Sequence, residues 1–146
     1  KVLHPTFILH ILGDGPERDL IPPPSERGGI QYHGSCTHAE TLRLMRSAEF
    51  FLLPTRYPEG LPTTLLEAGL SGCVPLVSNF PSASEVIESS EQGFICNGLD
   101  DFVERLERLL GDKVERERIA ENFRKRILSE FDWPKTVDTI LEASKQ

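Results

Sequence analysis

The chain has 146 residues, 38% of them hydrophobic and 27% charged, a balance that suits one globular domain and argues against a disordered or membrane-embedded chain. Sixteen basic against 23 acidic residues leave a formal net charge of −7, which argues against nucleic-acid backbones or anionic lipid as the main partner. No apolar run approaches the ~20 residues that cross a bilayer.

Strand-like and helix-like segments alternate. Phe7 to Leu12 reads as a buried strand rather than a signal peptide, ended by Gly13-Asp14-Gly15-Pro16. The loop over 21–29, with Pro22-Pro23-Pro24, reads as a surface turn of extended backbone. Ile30 to His33 is a second strand, stopped at Gly34. Thr37 to Ser47 has helical apolar spacing at Leu42, Met45 and Ala48, with Thr37 as N-cap and Glu40 three residues on, a capping-box pattern.

Phe50 to Leu53 is a third strand, and a helix from Pro62 to Gly72 follows its loop, with proline suited to the first turn. Val74 to Val77 is a fourth strand and Gly93 to Cys96 a short fifth. From Asp100 the spacing predicts a helix with Phe102, Val103, Leu106, Leu109 and Leu110 on one face. A charged helix over about 113–130 and a last one from Trp133 complete the chain. Near-continuous apolar strands alternating with helices predict an α/β, Rossmann-like three-layer domain with a parallel sheet. Ligands of such sheets lie at the carboxyl ends of the strands. There is no internal repeat and no interdomain linker.

Cys36, Cys73 and Cys96 form no C-x-x-C, so neither a zinc site nor a redox pair is expected, and a reducing cytoplasm is the simplest compartment. His4, His10, His33 and His38 show no metal-ligand spacing and read as structural or exposed.

The informative stretch runs from Leu52 to Ala68. Glu59 lies in a strand-to-helix loop, and Glu67 lies inside the helix, ~7.5 Å along its axis from Pro62. Between them the amides around Leu61, Thr63 and Thr64 lack intrahelical acceptors and sit at the positive end of the helix dipole. A diphosphate would suit those amides, with one carboxylate for sugar hydroxyls and the other for ribose hydroxyls, since a carboxylate accepts two hydrogen bonds at once. Taken singly, Glu59 also reads as a solvated loop carboxylate and Glu67 as a rim residue of an amphipathic helix.

Glu59-Gly60-Leu61-Pro62 followed by Glu67-Ala68 is an E-x7-E pattern that resembles the signature of retaining GT-B glycosyltransferases of the family 4 type. Leu12 to Arg18 resembles the family's GDGP turn, Ile30 to Gly34 its V-x-F-x-G strand, and Ala48 to Thr55 its AD-x-F-x-LPS segment. Gly72 to Ser78, Glu85 to Ile87, Gly93 to Ile95 and Phe131 to Trp133 match later elements in order, so the resemblance covers almost the whole chain.

The resemblance implies one nucleotide-sugar-binding domain over 1–146, the C-terminal half of a two-domain glycosyltransferase. Glu59 would contact the donor sugar as the catalytic residue. Gly60, Leu61, Pro62, Thr63 and Thr64 would line the donor, with the Leu61 and Thr63 amides on the sugar and distal phosphate, and Glu67 would hold the ribose. His33, Gly34 and Ser35 would border the base. Gly13 and Gly15 read as a tight turn more readily than as ligand contacts, and Glu85 as either a loop or helix-cap residue or one near the diphosphate. Pro62 stands where many relatives have glycine and offers no amide.

The family's cation loop precedes the GDGP strand, and this chain begins at Lys1, a few residues before it. The first βα unit and the N-terminal acceptor domain are therefore expected to be absent. The chain alone is expected to bind without transferring sugar, and an exposed sheet edge could favour self-association. The implied activity is transfer of a sugar from a nucleotide diphosphate to an acceptor hydroxyl of a glycan or lipid. No metal or other cofactor is expected, nor any nucleic-acid partner. The implied location is the cytoplasm, where the full-length protein could also sit peripherally on a membrane. The alternatives are a non-catalytic nucleotide-sugar or protein-interaction module and an epimerase of the same fold.

Overall fold

The structure is a computed structural model and describes residues 7–22, 29–57 and 59–132. Residues 23–28 of the expected surface turn, Pro58, His4 and the helix expected from Trp133 lie outside them. The chain divides into two compact units, Lys1–Leu44 and Met45–Gln146.

In the first unit, β1 (Ile8–Ile11) pairs in parallel with β2 (Gly29–Tyr32), Ile8 opposite Gly29 and Ile11 opposite Tyr32. Helix α1 (His38–Met45) starts with the reciprocal cap that Thr37 and Glu40 predict. The Thr37 amide donates to Glu40 Oε2 at 2.9 Å, and the Glu40 amide to Thr37 Oγ1 at 3.3 Å, so two otherwise orphaned amides gain acceptors. A 3₁₀ turn over Arg18–Leu20 was not expected.

The second unit holds a three-stranded parallel sheet in the order β3 (Phe50–Leu53), β4 (Val74–Ser78), β5 (Phe94–Cys96). It is joined by α2 (Thr63–Ser71), α3 (Ala83–Val86), α4 (Leu99–Leu110) and α5 (Lys113–Glu130). Side chains alternate across a strand, and this sheet buries both faces. Leu53, Val77 and Ile95 stand in register on the face packed with Leu65, Val86, Phe123 and Ile127. Leu52, Leu76 and Phe94 stand in register on the other, with Phe102, Leu109 and Ile119. Helix α5 serves both cores, because Ile119 joins one and Phe123 and Ile127 the other. The fully buried among them, such as Leu76, Val77, Ile119 and Phe123, each contribute about 1.5–3 kcal/mol of transfer free energy.

Helix ends follow local chemistry. Helix α2 stops at Gly72, whose φ of 85° is left-handed, and the Cys73 amide closes back on Ala68 O at 3.0 Å. Asp112 caps α5 by accepting from the Glu115 amide at 2.9 Å. Arg116 Nη1 donates to Leu109 O and Leu110 O at the end of α4, while its Nη2 pairs with Glu49.

Three expectations need correction. Pro62 is the N-cap of α2 rather than a residue of its first turn, with extended φ −71° and ψ 112°. Val103 is 45% exposed, because α4 buries a narrower stripe centred on Phe102 and Leu109. The strand expected to be buried over Phe7 to Leu12 leaves Phe7 and Ile8 48% and 55% exposed, while the single turn α3, to which no element was assigned, is held by Ala83 and Val86 in the core.

Candidate functional site

In the second unit, β3 delivers the chain into a loop at Pro54, and α2 begins nine residues later at Thr63. Helix α2 is seated by Leu65 and Ala68, both fully buried. Gly69 lets it approach α5 so closely that a Cβ there would lie 2.7 Å from Ile127 Cγ1. That anchoring leaves Thr63 and Thr64 exposed at the helix start and Glu67 half-buried one turn on, about 6 Å further along the axis.

No side chain caps α2, and its first turn carries no acidic residue. The Leu65 amide turns back to Pro62 O at 3.0 Å. The positive end of the dipole thus begins at exposed Thr63 and Thr64 with no acidic residue in its own first turn, an arrangement suited to an anion.

Glu59 is half-buried, whereas Gly60 and Leu61 are exposed. Thr55 organises the loop before them: its Oγ1 accepts from the Tyr57 amide at 3.2 Å. The same hydroxyl reaches Tyr57 O at 3.1 Å and Glu59 Oε1 at 3.3 Å, its single proton serving one acceptor at a time. Beyond Glu59, Ser82 Oγ donates to the Gly60 carbonyl. Neither Thr55 nor Ser82 was expected to have a role at the site. A hydroxyl two residues before a loop amide was a weak local signal for Thr55; Ser82 acts across 22 residues, beyond any sequence window.

Glu85 lies in α3 with an exposed side chain, and its carbonyl accepts from Arg126 Nη2 at 2.9 Å. Arg126 also pairs with Glu88 at 2.8 Å. A shallow depression lined by Glu91, Gln92, Asn122, Lys125, Arg126 and Ser129 shares no residue with the loop or α2.

In the first unit, the Gly13 turn and the His33–Ser35 segment are bonded to each other. The Gly13 amide donates to Gly34 O at 2.8 Å, and both glycines have left-handed φ, 109° and 63°. Asp14 Oδ1 accepts from the Gly15 amide at 2.9 Å and from the Tyr32 hydroxyl at 3.0 Å. His10 Nδ1 and His33 Nε2 are 2.9 Å apart, so one ring donates and the other accepts. Partial burial, then the His33 and Arg43 charges, hold His10 below the ordinary imidazole range. The structure thus joins Gly13 directly to Gly34, and Asp14 to both Gly15 and Tyr32, in the first unit, while Glu59 and Glu67 lie on either side of the start of α2 in the second.

Burial pushes the Cys73 and Cys96 thiols up to about 11, consistent with packing rather than chemistry. Among the described residues no helix is long and apolar enough to cross a membrane, and no cluster of His, Cys, Asp and Glu could hold a metal ion.

The sequence profile described as glycosyl transferases group 1 matches residues 1–126. A glycogen synthase of Mycobacterium tuberculosis is 29% identical over 137 residues, covering 89% of this chain and 33% of that protein. An Escherichia coli UDP-Gal:alpha-D-GlcNAc-diphosphoundecaprenol alpha-1,3-galactosyltransferase is 31% identical over 99 residues, covering 66% and 25%. Among solved structures, Anabaena HepE in complex with UDP and glucose superposes with a TM-score of 0.75 at 18% identity, covering 93% of this chain and 40% of that one. TarM superposes at 0.76 with 16% identity, covering 91% and 28%. The chain thus spans a quarter to a third of the curated relatives it matches.

Proposed function

This chain belongs to the glycosyl transferases group 1 family, and we propose that it forms the donor-binding part of a retaining transferase of the family 4 type. The observation that carries the reading is the uncapped start of α2 lying between Glu59 and Glu67. The distal phosphates of a nucleotide sugar rest against the Leu61, Thr63 and Thr64 amides, Glu59 accepts from hydroxyls of the sugar, and Glu67 accepts from the ribose. Pro62 has no N–H, so the contact made by an amide at that position is lost and the neighbouring amides carry the anion.

In the whole protein an acceptor hydroxyl attacks the anomeric carbon, the sugar–oxygen bond to the diphosphate breaks, and configuration is retained. Charge gathers on the leaving diphosphate, and preorganised amides stabilise it where it develops. No metal ion is needed in this reading. Transfer belongs to the whole protein, and this chain contributes donor binding. The acceptor is a hydroxyl of a glycan or lipid.

Calorimetric titration with UDP, GDP, ADP and their common sugar conjugates tests the reading, with Glu67→Ala as control. UDP conjugates head the panel because HepE was solved with UDP and glucose. Binding of one nucleotide class, weakened at least tenfold by Glu67→Ala, supports a donor site. Silence across the panel, or binding indifferent to the substitution, favours a non-catalytic module.

A further inference from the structure

We propose that Ser82 is a positioning residue that aims the Leu61 amide at the donor by holding the Gly60 carbonyl, an inference that rests on the donor-site reading above. Ser82 occupies the N-cap position of α3, where its carbonyl accepts from the Glu85 amide at 3.1 Å, yet its hydroxyl caps no amide of that helix. Its hydroxyl donates instead to Gly60 O. The two ends of that bond differ in how firmly they are held. Ser82 stands immediately before Ala83 and two residues after Phe80, 0% and 5% exposed, which pack in the core with Leu65 of α2. Gly60 and Leu61 are exposed, and a Cβ at Gly60 would meet nothing within 4 Å, so side-chain packing does little to orient this peptide.

A peptide group is planar and trans, with its C=O and N–H pointing in opposite directions. The Gly60 carbonyl and the Leu61 N–H belong to one such plane. Fixing the carbonyl toward Ser82 therefore directs the Leu61 N–H away from α3. Without the Ser82 hydroxyl, that peptide could rotate about the flanking bonds, and glycine resists such rotation least of all residues. Thr55, on the other side of Glu59, holds the carboxylate but not this peptide. The two tethers thus have separable effects.

The test compares wild type, Ser82→Ala and Ser82→Thr, with affinities for UDP-glucose, GDP-mannose and ADP-glucose set against those for UMP, GMP and AMP. The monophosphates carry the base and ribose but neither the distal phosphate nor the sugar. Ser82→Ala should weaken the sugar conjugate that wild type binds by about fivefold, the scale of one hydrogen bond. The matching monophosphate should change by less than twofold, and Ser82→Thr should restore most of the loss. The Leu61 amide resonance should also move in unliganded Ser82→Ala. Equal weakening of conjugate and monophosphate, or no weakening of either, overturns the positioning role while leaving the donor site standing. A wild type that binds none of the conjugates overturns the donor-site reading and this inference with it.

Discussion

Replacing Gly69 with alanine tests how α2 is seated, and its cost can be worked from two opposed terms. A Cβ at Gly69 would lie 2.7 Å from Ile127 Cγ1 and 2.8 Å from Phe123 Cε1. Carbon atoms prefer about 3.5–4.0 Å, so the overlap is close to 1 Å. Ile127 is 3% exposed and Phe123 fully buried, and neither can step aside into solvent. Overpacking of this kind costs about 1–3 kcal/mol. Against it, alanine gains about 1 kcal/mol over glycine inside a helix. The net expectation is destabilisation by about 1 kcal/mol.

Gly111→Ala is the matched control. Gly111 has ordinary right-handed angles, φ −81° and ψ −16°, and its Cβ would meet only Arg108 O at 3.6 Å. That substitution should stabilise by about 0.4–1 kcal/mol, because it restricts the unfolded chain. Urea unfolding followed by far-UV circular dichroism should therefore separate the two variants by about 2 kcal/mol, with opposite signs about wild type. A Gly69→Ala protein at least as stable as wild type would refute the close seating of α2 on α5, and with it the account of how Glu67 is held.

Two further outcomes follow from the titratable groups. With a thiol reagent at pH 8, Cys36 should react in the native protein, while Cys73 and Cys96, buried and pushed up to about 11, should react only after denaturation. Native-state modification of Cys73 would contradict its packing. The lowered His10 value means the unfolded chain binds the proton more readily, so stability is complete above the unfolded value of 6.5 and falls as pH drops from there toward the folded value. Exchange protection of the β1 and β2 amides, corrected for intrinsic rates, should decline from pH 7 to 5 in wild type and more shallowly in His10→Gln. Identical profiles would show that the His10–His33 bond does not contribute.

What the sequence disclosed and what it withheld divide by range of interaction. The capping box at Thr37 and Glu40, the glycine stop at Gly72 and the buried strand β4 are short-range or periodic features and were legible. The first strand, also read as buried, instead leaves Phe7 and Ile8 about half exposed. Alternation could say that Leu76 and Val77 face opposite ways, but not that α5 would seal both faces with Ile119, Phe123 and Ile127. Helix α3 escaped notice because four residues carry too little periodicity, and its order comes from the core contacts of Ala83 and Val86. At the candidate site the E-x7-E spacing was visible while its supports were not. Ser82 reaches Gly60 across 22 residues, and the His10–His33 bond arises only when β1 and β2 pair.

The most direct test of a donor site on this chain is a backbone amide NMR titration with the nucleotide sugar that binds best, in wild type and Glu67→Ala. Shifts concentrated at Leu61, Thr63, Thr64 and neighbouring residues of α2, and largely lost in Glu67→Ala, are the predicted result. Shifts confined to the depression around Gln92, Asn122 and Lys125, with residues 59–67 silent, would contradict it.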